Sequence, residues 1–383
     1  MPILSWINDG LGMIVGFLVC LIPLIVVHEL GHFIMARLIG VWAREFGIGY
    51  PPRIVKLFKW RETDFTLNWL PLGGFTRLEG EQTFAEDEEE DTDEEISPAV
   101  LAEREEAYRH SLYAQPPGKR ILLYLGGPLM NLLTAWVLAT LLFTTGLPIA
   151  RVVVSEVAPE SPAAEADLQT GDTIVAVNGE PIESINEVSA SVQETLGEPT
   201  EILLERDGQE VSVSLVPRAD PPEGQGAMGV LIGEVASGKL KQYPLNEAFV
   251  YGTRYLGNIV GMTVLFPVYV IRGLIPIEQA RPVGPIGISQ IAQQSVEQSI
   301  STGAAYPILN ILILVSVSLG IFNLLPIPAL DGGRILFAIV EKIRRKPLTP
   351  ALEERIHMVT LMILGALFIF ITIIDIVAPI RLP

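Results

Sequence analysis

Long uncharged runs separate hydrocarbon-like segments of the chain from polar ones. They cover residues 11–27, 121–150, 302–330 and 356–374, the last interrupted only by a histidine. Each is near or above the ~18–20 residues that an α-helix needs to cross the hydrocarbon of a bilayer. The pattern predicts a polytopic α-helical membrane protein with about four transmembrane helices. A fifth run, 255–271, is shorter and contains Gly and Pro, so we interpret it as a membrane-associated or re-entrant helix rather than a full span.

The polar segments between these runs carry three further patterns. Residues 65–69, FTLNW, alternate apolar and polar side chains and predict strands in a membrane-associated β region. Residues 86–95 are acidic except for Thr92, which is typical of a solvated loop. Residues 151–219 contain alternating segments and two turn signals, Asn-Gly and Asp-Gly, and predict a small β-rich domain. That this domain is PDZ-like is implied by the resemblance that the chain's motifs carry, and not by this pattern alone.

These patterns give a predicted order of eight segments along the chain. The segments are 1–43, a first transmembrane helix with a histidine motif; 44–80, the β region; 81–118, the acidic loop; 119–150, a second transmembrane helix; 151–219, the PDZ-like domain; 220–300, a linker with membrane-associated helices; 301–347, a third transmembrane helix followed by a cytoplasmic helix; and 348–383, a fourth transmembrane helix.

Lysine and arginine indicate how these segments are oriented. Residues 37–77 contain seven of them, and the loop between the predicted third and fourth spans contains six, whereas residues 1–27 contain none. Cytoplasmic loops of membrane proteins carry an excess of Lys and Arg. We therefore expect both loops to be cytoplasmic, and both termini and the PDZ-like domain to be external.

Composition agrees with a membrane protein. The chain has 383 residues, of which 49% are hydrophobic, and its mean hydropathy is +0.42, too apolar for an ordinary soluble enzyme. Its formal net charge of −18 argues against nucleic acid as a partner. The single cysteine, Cys20, excludes an intrachain disulfide.

A histidine motif stands at the end of the first apolar run. Residues 28–32 read HELGH, and positions i and i+4 of a helix lie on one face about 5–6 Å apart. His28 and His32 can therefore reach one metal ion, with Glu29 close enough to hold a water molecule. Two core histidines without a metal are the alternative, but ionisable groups within a membrane segment are costly and usually functional.

A catalytic zinc ion needs a third protein ligand. Asp331 is the best candidate, because it follows a long uncharged run that Pro326 and Pro328 should interrupt. His110, His357 and other carboxylates stay open as alternatives. Asp331 could also serve as the N-cap of the helix that follows.

Several motifs together resemble the site-2 protease family. They are HELGH at 28–32, GGPLMN at 126–131, one PDZ-like domain and NLLPIPALDGG at 323–333, in that order. The chain is similar to bacterial intramembrane zinc metalloproteases of the regulator-of-sigma-factor type, over nearly its whole length except the acidic block. In the PDZ-like pattern, Asp167 stands where relatives have Gly, which departs from the usual peptide-terminus binder.

The resemblance implies a role for individual residues. His28, His32 and Asp331 correspond to the zinc ligands, and Glu29 corresponds to the catalytic glutamate. Asn323 corresponds to an asparagine that helps to hold substrate. The implied location is the bacterial plasma (inner) membrane, and the implied substrates are single-span membrane proteins, such as a pre-trimmed anti-sigma factor or remnant signal peptides.

A substrate helix must unwind before its peptide bond can be attacked, and lipid offers its freed backbone groups no partners. Residues 70–78, LPLGGFTRL, could supply them by strand addition, with Gly73 and Gly74 allowing close approach beside Phe75. Asn131 could hydrogen-bond near the site or simply join two helices. A membrane zinc-binding adaptor that uses its PDZ-like domain without proteolysis is the alternative function, and a zinc transporter is a third option that would need a path of polar residues.

Overall fold

The structure is a computed structural model. It describes the backbone of residues 2–80, 98–222, 224–276, 280–346 and 349–378. The acidic block at 86–95 lies outside the described residues.

Helices and strands alternate in blocks along the chain. The first block is α1 (Pro2–Ile39), β1 (Ala43–Trp60), β2 (Thr63–Leu78), α2 (Pro98–Arg109) and α3 (Pro117–Thr145). The second is β3 (Leu147–Val157), α4 (Pro162–Glu165), β4 (Thr173–Val177), β5 (Glu180–Pro181), α5 (Ile185–Glu194), β6 (Thr200–Arg206), β7 (Gln209–Leu215) and β8 (Val230–Lys241). The third is α6 (Leu245–Ile271), α7 (Pro285–Thr302), α8 (Tyr306–Asn323), α9 (Asp331–Arg344) and α10 (Pro350–Val377).

These elements form two compact units. The first and third blocks make one helical unit, Met1–Thr145 with Pro244–Pro383, and the second block makes a separate unit, Gly146–Tyr243. The PDZ-like domain expected at 151–219 is thus wider than its sequence pattern indicated. Its sheet includes β8, which pairs antiparallel with β3 from Leu147↔Lys241 to Val157↔Val230.

Within the described residues, five helices are long and apolar enough to cross a membrane: Gly12–Ile39, Pro117–Thr145, Leu245–Ile271, Tyr306–Asn323 and Arg355–Val377. Four of them coincide with the predicted spans. The remaining helix, α6, contains the run 255–271 but begins ten residues before it, at Leu245. The 17-residue run therefore underestimated this helix, because Glu247 and Arg254 interrupt its apolar sequence without ending it.

Two glycines set the contact between α1 and α3. A Cβ atom at Gly31 would lie 2.2 Å from the carbonyl oxygen of Gly126, and one at Gly126 would lie 2.5 Å from that of Gly31. The two backbones therefore touch with no side chain between them, a packing that small residues permit in membrane helices. This crossing brings the histidine face of α1 against the GGPLMN segment of α3.

The β region is a sheet folded from two bent strands. β1 pairs antiparallel with β2, and residues 45–48 of β1 pair with 74–77 on one side and with 64–67 on the other. Within the described part of the chain, 74–77 has no further strand partner, so it forms an open edge. Thr76 Oγ1 donates to the carbonyl oxygen of Glu29 at 3.0 Å, which holds this edge against α1.

The separate unit has its own sheet and core. Its strand order is β7-β6-β4-β3-β8, with β5 paired to β4, and Val152, Ile174, Ile202 and Leu204 are among its fully buried side chains. Asp167 adopts φ +58°, in the left-handed region where glycine is favoured and aspartate is tolerated. The backbone therefore accommodates the departure from glycine seen in the sequence.

A bidentate ion pair ties the end of β6 to the loop that precedes β4. Arg206 donates from Nε and Nη2 to the two carboxylate oxygens of Asp172, both at 2.7 Å, and Asp172 is buried. The hydrogen bonds from Arg206 hold the pKa of the Asp172 carboxyl below its ordinary value.

Candidate metal centre

Three side chains from distant parts of the chain converge at one point. His28 Nε2 lies 3.1 Å from Asp331 Oδ2, His32 Nε2 lies 3.3 Å from the same oxygen, and the two Nε2 atoms are 3.2 Å apart. Among the described residues, this group alone places at least three potential ligand side chains of the His, Cys, Asp and Glu types together. Asp331, the predicted third ligand, thus lies within 3.3 Å of both histidine Nε2 atoms.

Asp331 reaches this point because the helix breaks before it. α8 ends at Asn323 and α9 begins at Asp331, with both prolines of PIP in the gap. The alternative role of N-cap falls to Leu330 instead, and no side chain caps this helix by a hydrogen bond. The Asp331 carboxylate is free of a capping role and faces the two histidines.

The spacing of the three atoms suits zinc. Zinc binds His nitrogen and carboxylate oxygen at ~2.0–2.2 Å, and a tetrahedral arrangement then places the ligand atoms about 3.3 Å apart. A Cβ atom at Gly127 would lie 2.4 Å from His32 Nε2 and 2.6 Å from His28 Nε2. The absence of a side chain at Gly127 therefore leaves open a space that a metal ion of this size fits.

The second ring nitrogen of each histidine also has a partner. His32 Nδ1 donates to the carbonyl oxygen of Leu123 at 3.0 Å, which leaves Nε2 free to ligate. His28 Nδ1 lies 3.2 Å from the Asn131 amide, and Asn131 is fully buried. The partner atom is the amide nitrogen Nδ2, whereas Asn131 Oδ1 is buried with no hydrogen-bond partner among the described residues. A half-turn of the amide would place Oδ1 there, where it accepts the Nδ1 proton of a histidine that ligates through Nε2.

Asn131 therefore lies behind His28 and does not border the cavity described next. Its backbone oxygen accepts a hydrogen bond from Ser316 Oγ at 2.8 Å, which links α3 to α8. The sequence suggested either a contact near the site or a helix-packing role, and Asn131 makes contacts of both kinds. Gly127 and Leu123, by contrast, were not predicted as site residues: Gly127 lies within the GGPLMN motif, and no sequence signal points to Leu123.

The metal group opens into a cavity of about 370 Å³. Glu29 borders this cavity but is not one of the three converging groups, which leaves its carboxylate available for another task. Asn323, Gly74 and Phe75 also border it. Gly73 does not border the cavity. A Cβ atom built at Gly73 would lie 3.2 Å from the Ile25 side chain.

The other two histidines have different partners. His110 Nδ1 bonds the carbonyl oxygen of Gly40 at 2.8 Å, and its ring stacks on Trp42. His357 Nδ1 bonds the carbonyl oxygen of Pro328 at 3.0 Å. Neither histidine joins the converging group, although His357 contacts the loop that carries Asp331.

Comparison with known proteins agrees with this geometry. Over residues 16–367 the chain matches the model of Peptidase family M50. Zinc metalloprotease RasP of Geobacillus kaustophilus (strain HTA426) is 30% identical over 95% of this chain and 97% of that protein. Regulator of sigma-W protease RasP of Bacillus subtilis (strain 168) is 26% identical over 94% of this chain and 97% of that protein.

Solved structures match only a small part of the chain. The PDZ domain of an SdrC-like protein from Listeria monocytogenes is 22% identical, with a TM-score of 0.19, and covers 21% of this chain and 85% of that domain. The family match and the curated relatives span nearly the whole chain. The chain belongs to Peptidase family M50, and it is a zinc metalloprotease with apolar helices typical of a membrane protein.

Proposed function

We propose that this chain hydrolyses peptide bonds within or near the transmembrane helix of single-span membrane proteins. One observation carries the proposal: two zinc-type ligands on α1, a helix long and apolar enough to cross a membrane, converge with Asp331 at the start of α9. His28, His32 and Asp331 hold the ion in this proposal. A non-proteolytic adaptor would have no need of Glu29 at the border of the same cavity.

Zinc, when bound, polarises a scissile carbonyl and lowers the pKa of a water molecule toward ~7. The chain supplies the proton transfers. Among the described residues, Glu29 is the one carboxylate besides Asp331 that borders the cavity, so it accepts the proton of the attacking water and passes it to the leaving amine. Asn131 and the Leu123 carbonyl keep the two histidine rings oriented.

The open edge at 74–77 receives the unwound substrate in this proposal. Gly74 and Phe75 border the cavity, and Thr76 fixes the edge to the Glu29 backbone. A substrate strand added here would pair its backbone groups next to the metal group. Asn323, which also borders the cavity, contributes a side-chain amide to the same strand in this proposal.

The positive-inside tendency supports an orientation in the bacterial inner membrane with both termini and the PDZ-like unit external. Pre-trimmed anti-sigma factors and remnant signal peptides are the substrate classes that we propose, as steps of regulated intramembrane proteolysis. The PDZ-like unit then selects substrates either by size or by binding a peptide.

The decisive experiment changes Glu29 to Gln. This substitution keeps the size of the side chain but removes the proton acceptor, so cleavage of a tagged single-span protein in detergent should fall at least ~100-fold. Zinc content, measured by atomic absorption, should match that of the unchanged protein. Near-native turnover in purified Glu29→Gln would show that the assigned proton carrier is wrong.

Asp331→Ala provides the contrasting variant. It removes a ligand, so both zinc and activity should be lost. Full zinc occupancy in this variant would place the third ligand elsewhere, and would leave His28 and His32 as the only supported pair.

A further inference from the structure

Arg334 is a charged side chain in the catalytic cavity to which the proposed mechanism gives no role. It lies three residues after Asp331 on α9, and therefore on the same helical face. Both residues border the cavity that also contains Glu29. The cavity thus has a permanent positive charge one helical turn away from a proposed zinc ligand.

The first turn of α9 holds this position firmly. A Cβ atom at Gly332 would lie 2.2 Å from the carbonyl oxygen of Leu325, and one at Gly333 would lie 2.2 Å from that of Ile327. The turn is therefore packed directly against the backbone of the loop before it. Little displacement of Arg334 relative to Asp331 is possible without breaking these contacts.

The guanidinium group has a defined support. Its carbon atom, Cζ, lies 5.7 Å from the centre of the Tyr124 ring, and Tyr124 is a buried residue of α3 that borders the same cavity. Arginine often stacks on aromatic faces, and its planar group suits the binding of carboxylate oxygens. Tyr124 therefore limits where the charge can lie.

Peptide hydrolysis creates the anion that such a charge would recognise. Water oxygen bonds to the scissile carbonyl carbon, negative charge builds on the carbonyl oxygen, and the carbon–nitrogen bond then breaks. Glu29 carries one proton of the water to the leaving amine. The second proton is released when the acyl half ionises to a carboxylate, and the amine takes it up to become an ammonium ion. The substrate carbonyl is neutral at the start, so a cation in this cavity gains most as the reaction proceeds.

We infer that Arg334 binds the acyl half of the substrate at its scissile carbonyl oxygen and remains paired with the carboxylate of the acyl product. This inference rests on the proposed protease function and adds a catalytic residue to it. Arginine suits the task because it stays charged at all accessible pH values and offers several donors to one carboxylate.

The test compares two peptides that differ only at their last group. A fluorescein-labelled leucine–alanine peptide ends either in a free carboxylate or in a carboxamide, and fluorescence anisotropy measures the binding of each to the zinc-loaded protein in detergent. The unchanged protein should prefer the carboxylate. Arg334→Gln should lower this preference about tenfold, the effect expected for one charge-assisted hydrogen bond, with carboxamide binding unchanged.

Kinetics supply an independent measurement. Because the substrate carbonyl is neutral before attack, Arg334→Gln should lower kcat for the single-span substrate and leave KM nearly constant. Compared with Arg334→Gln, Arg334→Lys should restore part of the carboxylate preference and part of kcat. Arg344→Gln, at the exposed far end of the same helix, is the matched control and should change neither.

The outcomes separate this inference from the proposed function. If the unchanged protein cleaves its substrate but Arg334→Gln keeps the full carboxylate preference, Arg334 does not bind the acyl half. If Arg334→Gln weakens both peptides equally or loses zinc, its role is structural and the inference is also overturned. A zinc-loaded, unchanged protein that never cleaves contradicts the proposed function itself.

Discussion

At Gly127 a single methyl group would enter the space between the proposed zinc ligands. The Cβ position lies within 2.6 Å of both histidine Nε2 atoms, far closer than two non-bonded atoms can approach. The residue is thus part of the site through the volume that it leaves empty.

Gly127→Ala should therefore lose zinc and proteolysis together, although alanine favours the helix more than glycine does. Zinc content and cleavage of a single-span substrate are the two measurements. Gly118→Ala is the matched control on the same helix, because the space around its Cβ position is open. Normal zinc binding by Gly127→Ala would mean that the ligands adopt a different arrangement from the one described.

At this scale the sequence predicted what depends on spacing within one helix. The i, i+4 pair His28 and His32 follows directly from helical periodicity. Asp331 was predicted from the helix break that precedes it and from the family resemblance, and the structure places it beside the two histidines. The space left by Gly127 and the contact of Asn131 with His28 could not be predicted, because they depend on which face of α3 meets α1.

Among the elements, the edge strand at 74–77 has the most specific expected task. It borders the cavity, and within the described residues it has no strand partner on the side that faces away from β1. Phe75 also packs against its own sheet: a Cβ atom at Gly47 would meet the Phe75 ring at 2.3 Å, so the side chain has a structural role as well.

Phe75→Pro should strongly reduce cleavage, since proline lacks the N–H that a paired strand requires. Phe75→Leu keeps the N–H and should have a mild effect. Zinc content and thermal stability in detergent must match the unchanged protein, so that loss of the sheet itself is excluded. Equal activity of the two variants would argue against strand addition.

Other elements show where sequence patterns were insufficient. The β8 strand was not foreseen, because it follows a Pro- and Gly-rich stretch and pairs with β3, about 80 residues earlier in the chain. Its pairing is a tertiary contact that no local pattern encodes. The start of α6 was not predicted because a local pattern was misleading there: charged residues suggested the end of an apolar helix, but the helix continues through them.

At the scale of the whole molecule, the folding stability of the PDZ-like unit, Gly146–Tyr243, should decrease at acid pH. The pKa of Asp172 is lowered by Arg206 in the folded unit, so this pair stabilises folding above the ordinary aspartate pKa of about 3.9. That contribution is lost as pH falls below this value toward the folded pKa.

Residues 146–243, expressed alone, should therefore melt at a higher temperature than their Arg206→Gln variant at neutral pH. The difference should shrink as pH falls from about 4 to about 2. Arg151→Gln is the control, because its partner Glu205 is exposed and such pairs contribute little. A difference between protein and variant that does not change with pH would contradict the role of this pair.

The bounds of the unit also show which residues to delete so that no unpaired strand remains. Leu147 pairs with Lys241, so the two ends of the unit lie side by side, and a short flexible linker can replace residues 147–241. Removing only 152–217 would leave β8 without most of β3. If the unit is a size filter, the deletion should permit cleavage of an untrimmed substrate that the intact protein spares.

If the unit instead docks a peptide, the same deletion should slow cleavage of the trimmed substrate and leave the untrimmed one uncut. A gel assay of both substrates against both proteins distinguishes the two roles. The comparison is valid only for a deletion variant that retains zinc.

The backbone contact between Gly31 and Gly126 has a consequence for how such a protein can change over time. In most helix pairs the spacing depends on interlocking side chains, so neighbouring positions must change together. Here the spacing depends on main-chain atoms, and the outward residues Val15, Val19, Leu129, Leu133 and Val137 are exposed. Substitutions at those positions, including ones that suit thicker or thinner bilayers, should therefore leave the distance between α1 and α3 at the histidines unchanged.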